Sequence, residues 1–137
     1  MHETILIINE EPGMTVFFRT ILSEHYKVIP FESSIKAIDW IWDNPEKPNL
    51  FIVDIDLKHV KSLEIIKQLR ECYGQDIPLI ITSGNFTAEE KVTCGKITDF
   101  TIEQPITVFD LERIVHQALE SAPSKQVPVP ATMSVVV

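Results

Sequence analysis

Cysteine is scarce in this chain, with Cys72 and Cys94 the two examples. They have no CxxC spacing and no companion histidines, which argues against a thiolate metal site and for two reduced thiols. Sequence alone leaves a disulfide between them open. Basic residues are few as well: 12 Lys and Arg stand against 20 Asp and Glu, a net charge of −8. That balance argues against the basic footprint of a nucleic-acid-binding domain and against attraction to anionic lipid. Acidity by itself implies only solubility. No apolar run approaches the ~20 residues of a membrane span. The start, Met1-His2-Glu3-Thr4, lacks a basic n-region, and Ile5 to Ile8 is too short for a signal core. The expectation is a cytoplasmic protein with neither a membrane nor a nucleic-acid partner.

The chain has 137 residues, 45% of them hydrophobic, which suits one domain with its own core. Its strongest signal is a pair of apolar runs that stop abruptly in acid. Leu50-Phe51-Ile52-Val53 leads into Asp54-Ile55-Asp56, and Thr4-Ile5-Leu6-Ile7-Ile8 leads into Asn9-Glu10-Glu11. Short continuous apolar runs read as strands covered on both faces, as in a parallel sheet. Ligands of open parallel sheets bind at the carboxyl ends of the strands, so two strands delivering acids there predict an acidic pocket.

The rest of the chain alternates strand and helix. Pro12 suits a first helical turn, followed by Met14, Phe17, Phe18, Ile21 and Leu22 at helical spacing. Lys27 to Phe31 reads as a strand. Ser33 or Ser34 caps a helix whose expected buried stripe is Ile35, Ile38, Ile41 and Trp42. Trp40 and Trp42 cannot share one face, so one belongs in the core and the other outside. The turn-rich segment Asn44 to Asn49 precedes the Leu50 strand. A helix follows from Ser62 to Cys72 with Leu63, Ile66 and Leu69, then a strand from Pro78 to Thr82. Thr87-Ala88-Glu89-Glu90 has capping-box spacing and opens a short helix. A fifth strand lies near Asp99 to Ile102. Thr107 and Asp110 then begin a last helix with Val108, Leu111, Val115, Ala118 and Leu119 inward. Right-handed crossovers place these helices on both faces of a five-stranded parallel sheet, a three-layer α/β architecture. Residues 1–121 form the expected domain, and residues 122–137, rich in proline, read as a linker or tail.

Carboxylates ~4 Å apart repel by roughly 1 to 4 kcal/mol, so a cluster of Glu10, Asp54 and Asp56 calls for a cation, a proton or water. Hard oxygen donors with open positions suit Mg²⁺. A carboxylate beside it can attack phosphorus to give an acyl phosphate, and Ser83 can donate a hydrogen bond to a phosphoryl oxygen.

The segments Ile5 to Pro12, Pro48 to Asp54, Pro78 to Ser83 and Gln104-Pro105-Ile106 together resemble the landmarks of the receiver domain of two-component response regulators. The resemblance covers about Thr4 to Glu120, in matching order and spacing. It implies a doubly wound (βα)5 fold, flavodoxin-like and CheY-like, in which Asp54 accepts a phosphoryl group from a histidine kinase or phosphotransfer protein. It implies weakly bound Mg²⁺ held by Glu10, Asp54 and the backbone carbonyl of Asp56, with Asn9 contributing weakly or through water. Ser83 takes the place of the switch hydroxyl, and Phe100 or Thr101 that of the switch aromatic. The output surface, for a homodimer or effector, spans residues 87–119.

Several positions depart from the family pattern. Gln104 stands where the family has lysine before a cis-proline, which replaces a full charge with a neutral N–H donor and weakens phosphoryl binding. Glu103 beside it makes the local field more negative. Asn9 removes one acid, while Lys58 and Ser62 replace the usual proline and glycine. A receiver-like interaction module that no longer uses phosphate is therefore the alternative. A phosphatase of the haloacid-dehalogenase type ranks lower, because that family places its Asp-x-Asp on the first strand, and the expectation is a protein that is not an enzyme. Of the four histidines, only His59 falls near the site.

Overall fold

A computed structural model describes residues 2–121; the proline-rich segment at 122–137 lies outside the described residues. Ten elements alternate as expected. They are β1 (Thr4–Ile8), α1 (Pro12–Leu22), β2 (Lys27–Phe31), α2 (Ser34–Asp43), β3 (Leu50–Asp54), α3 (Ser62–Tyr73), β4 (Leu79–Ser83), α4 (Ala88–Gly95), β5 (Phe100–Glu103) and α5 (Val108–Glu120). The strands form one sheet in the order β2-β1-β3-β4-β5, with every neighbouring pair parallel. This is the flavodoxin-like (βα)5 fold. Pro30 is accommodated because β2 lies at an edge, where a missing N–H costs no ladder bond.

Side chains alternate across the sheet and feed two cores. Leu6, Ile8, Phe51, Val53, Leu79 and Ile81 face α2 and α3. Ile5, Ile7, Leu50, Ile52, Ile80 and Ile102 face α1 and α5, where Phe18, Leu22, Leu111, Val115 and Ala118 meet them. Each fully buried Leu, Ile or Phe contributes roughly 1.5–3 kcal/mol. The continuous apolar strands thus reflect cover on both faces.

The helix phases differ from expectation in places. In α2 the Ser33 hydroxyl accepts the Lys36 N–H and fixes the first turn, so Ser34, Ala37 and Ile41 turn inward. Ile35 and Trp42 are consequently 53% and 56% exposed rather than core. Trp42 donates its indole N–H to Gln68 at 2.8 Å, while half-buried Trp40 packs on Phe31 with ring centroids 5.6 Å apart. In α3 the buried apolar residues are Ile65, Ile66, Leu69 and Tyr73, joined by Ser62 and Arg70, and Leu63 is 44% exposed. Val108, expected inward, stands outside at the first turn of α5. The capping box of α4 forms as its spacing predicted: Thr87 Oγ1 accepts the Glu90 N–H at 3.1 Å, and Glu90 Oε1 accepts the Thr87 N–H at 2.9 Å. Gly74 ends α3 with φ of 92°, a conformation that glycine adopts without a Cβ penalty. Both cysteines are free thiols, Cys94 buried and Cys72 half-buried, which closes the disulfide question. Among the described residues no helix is long and apolar enough to cross a membrane.

Candidate phosphoryl-accepting site

β1 and β3 are adjacent, with Ile8 paired to Val53, and the strand order reverses between them. The crevice at such a reversal lies beyond the carboxyl ends, where Asn9, Glu10 and Asp54 emerge. β4 runs beside β3 with Asp54 opposite Thr82, which puts Ser83 at the same edge. β5 follows, with Ser83 opposite Glu103 and Gln104 next in line. Sheet register alone gathers the residues expected at the site.

Asp54 is 6% exposed. Its Oδ1 accepts the Asp56 N–H at 3.2 Å, and its backbone carbonyl accepts the Ser62 hydroxyl at 2.5 Å. Burial disfavours its charge, and the N–H groups of Asp56 and Ile55 recover only part of that cost. The charges of Asp56 and Glu11 push in the same direction as burial, so the carboxyl is raised from 3.8 to about 6. A carboxylate in this state lacks a positive partner.

Glu10 is held as an anion. Its Oε2 accepts the Ser34 hydroxyl at 3.1 Å and the Ser34 N–H at 3.5 Å, at the first turn of α2, where helix N–H groups are unsatisfied. Its Oε1 accepts the Lys58 N–H, and His59 Nδ1 lies 3.9 Å from Oε2. Burial would raise its pKa, but the donors from Lys58 and Ser34, with the His59 charge, prevail and lower it.

Asn9 is buried. Its Oδ1 accepts the Glu11 N–H at 2.9 Å, whereas its Nδ2 is enclosed with no protein partner. The side-chain oxygen is thus committed to the backbone turn that opens α1. Ser83 is fully buried; its hydroxyl donates to Asp56 Oδ2 at 3.1 Å and accepts the Asn85 N–H at 3.0 Å. The Asp56 side chain therefore holds the hydroxyl, a contact between residues 27 positions apart that no local spacing signals.

The Gln104–Pro105 peptide is cis, and the Gln104 N–H donates to the Ser83 carbonyl at 2.9 Å. Glu103, beside Gln104, accepts the Phe86 N–H at 2.8 Å. Phe100 packs into the core beneath α1 and α5, whereas exposed Thr101 lines an open cleft of about 520 Å³ with Phe86, Lys91 and Thr98. Adjacent strand residues point to opposite faces. Of the two, it is Thr101 that faces α4.

Glu10, Asp54 and Asp56 bring hard oxygen donors to the carboxyl edge of the sheet, and the Asp54 carboxyl is raised first by burial and then by the charges of Asp56 and Glu11. That donor chemistry fits Mg²⁺, which takes one or two carboxylates and retains waters. Among the described residues no three His, Cys, Asp or Glu side chains form a cage by themselves.

A family model described as the response regulator receiver domain matches residues 5–116. The response regulator MprA of Mycobacterium sp. (strain KMS) is 26% identical over 89 residues, which cover 64% of this chain and 37% of that protein. A probable cyclic di-GMP phosphodiesterase of Vibrio cholerae is 24% identical over 127 residues, covering 90% of this chain and 28% of its own. The chain thus spans well under half the length of these curated relatives. A CheY-like receiver domain protein from Methanospirillum hungatei JF-1 superposes with a TM-score of 0.76 at 21% identity, over 88% of this chain and 95% of that one. The receiver domain of sensor histidine kinase PA1611 from Pseudomonas aeruginosa PAO1, with magnesium coordinated in its active-site cleft, gives 0.76 at 16% identity, over 88% and 100%. At these identities the likeness to solved structures establishes the fold.

Proposed function

The chain belongs to the response regulator receiver domain family, and from that premise we propose that Asp54 accepts a phosphoryl group from a histidine kinase or phosphotransfer protein in the cytoplasm. The observation that carries this reading is Asp54 itself. It is a buried carboxyl, raised to about 6, at the β1/β3 reversal, bonded to the Asp56 N–H and acted on by the charges of Asp56 and Glu11, with Ser83 held by Asp56. In the transfer, a carboxylate oxygen of Asp54 forms a bond to phosphorus as the bond from phosphorus to the donor imidazole breaks. The imidazole nitrogen then takes up a proton. A bound Mg²⁺, held by Glu10, Asp54 and the Asp56 carbonyl, would supply the positive charge that offsets the phosphoryl oxygens.

The protein's own groups set how strongly the product is held. Ser83 would exchange its bond to Asp56 for one to a phosphoryl oxygen. Gln104 supplies a neutral amide donor where lysine would supply charge, and charge-assisted bonds are roughly twice as strong. The phosphorylated state is therefore stabilised less here than with lysine. The response would pass to a homodimer or effector through residues 87–119. As a receiver the domain holds the phosphoryl group as a signal, without the turnover of an enzyme.

A second reading, a module that works without phosphate, draws on the committed oxygen of Asn9 and on Gln104. Exposure to a small phosphodonor with Mg²⁺, followed by intact mass, separates the two. One phosphoryl adduct in the native protein and none in Asp54→Asn supports phosphotransfer. The absence of an adduct with every donor supports the second reading.

A further inference from the structure

Away from the acidic mouth, the surface between α3 and α4 has a different character. α4 buries only Cys94 among its residues, and a groove of about 430 Å³ opens between it and the first half of α3. Leu63, 44% exposed, and the largely buried Ile97 give it an apolar lining, and Lys61, Lys67 and Lys96 stand around it with one acid, Glu64. The ion pairs of His59 with Glu10, Arg113 with Asp110 and His116 with Glu120 leave Lys61 and Lys67 uninvolved. In a chain with a net charge of −8 this is a local excess of positive charge, three lysines against Glu64. A second hollow of about 300 Å³ shares Lys61, Leu63 and Thr93 with the first and extends it toward Glu89 and Glu90.

We infer that this α3–α4 groove docks an acidic amphipathic helix of a partner protein. An apolar floor between two helices accepts the apolar face of a third at i, i+3 and i+4 positions. The excess of lysine over Glu64 selects acidic residues flanking that face, and the acidic remainder of the surface repels the same partner from other sites. Charge also sets direction. A helix dipole is positive at its N-terminus, so that end points toward Glu89 and Glu90 and the acid-bearing C-terminal half lies over Lys61, Lys67 and Lys96. The larger hollow is lined without Asp54 or its hydrogen-bond partners, although the smaller one reaches Ile55 and Ser62, and docking in the larger does not require a phosphoryl group.

The test uses the full chain and three synthetic helical peptides, with amide chemical shifts as the readout. One peptide carries leucine on one face and glutamate on the flanks, the second has lysine for glutamate, and the third is a scramble of the first. The expected result is that the glutamate peptide shifts residues 61–67 and 93–97, and that K61E/K67E/K96E weakens its binding roughly tenfold. Asp54→Asn leaves that binding unchanged. Leu63→Asn, at an already exposed position, weakens it too and replaces the triple variant should that one fail to fold. Equal binding of the scramble or the lysine peptide overturns the inference, as does an affinity indifferent to these substitutions. Concentration-dependent shifts of the same residues without peptide also overturn it, since the occupant would then be a second copy.

Discussion

Replacing Asp54 by asparagine should stabilise the protein, and by an amount that depends on pH. Asparagine keeps an oxygen that accepts the Asp56 N–H and leaves the Ser62 bond to the backbone carbonyl untouched. It removes a charge that is buried beside Asp56 and Glu11. The folded-state pKa of about 6 stands above the ordinary 3.8, so the folded chain binds the extra proton. Stability contributed by Asp54 is therefore highest below about 3.8 and falls as pH rises to about 6, after which it is flat. The full displacement corresponds to roughly 3 kcal/mol. Urea denaturation in the presence of a chelator, at a series of pH values from 4 to 8, reads this directly. We expect Asp54→Asn to exceed the native protein by about 1–3 kcal/mol at pH 8 and the difference to vanish near pH 4. A variant less stable at pH 8, or a difference that does not change with pH, would refute the reasoning.

Three further outcomes are expected. Gln104→Lys places an ammonium group near the phosphoryl pocket, so the Asp54 pKa, followed by carbonyl-carbon NMR, should fall by about 1–3 units and the phosphoryl adduct should persist longer. Ser62→Ala strips the hydroxyl donor from the buried Asp54 carbonyl, and urea unfolding should show a loss of about 1–3 kcal/mol. Thr87→Ala breaks the capping box at the start of α4; the expected cost is about 1 kcal/mol in the same assay, with hydrogen exchange in α4 accelerated.

Much of the fold was legible because strand and helix periods are local. The runs Thr4 to Ile8 and Leu50 to Asp54 have the composition of strands covered on both faces, and Thr87 with Glu90 carries a capping signal within four residues. Helix phase was less legible. Ile35 and Trp42 are as apolar as Ile41, and what turns them outward is the Ser33 cap together with small Ala37 against the sheet. At the site, sheet register places Glu10, Asp54 and Ser83 together, so their proximity followed from strand order. The hydrogen bonds did not. Glu10 finds its donors at Ser34 and Lys58, Asp54 finds Ser62, and Ser83 finds Asp56. These pairings depend on rotamers and loop paths that no spacing encodes. Thr101 and Phe100 could be separated only once the strand showed which face each occupies.

Chemical trapping tests most directly whether Asp54 is the phosphoryl acceptor. After exposure to a small phosphodonor with Mg²⁺, borohydride reduction converts an aspartyl phosphate to homoserine, and tandem mass spectrometry of the digested protein locates it. The prediction is homoserine at position 54 alone, absent when the phosphodonor is omitted. Homoserine at another acidic residue, or unmodified Asp54 in protein that has gained a phosphoryl group, would contradict it.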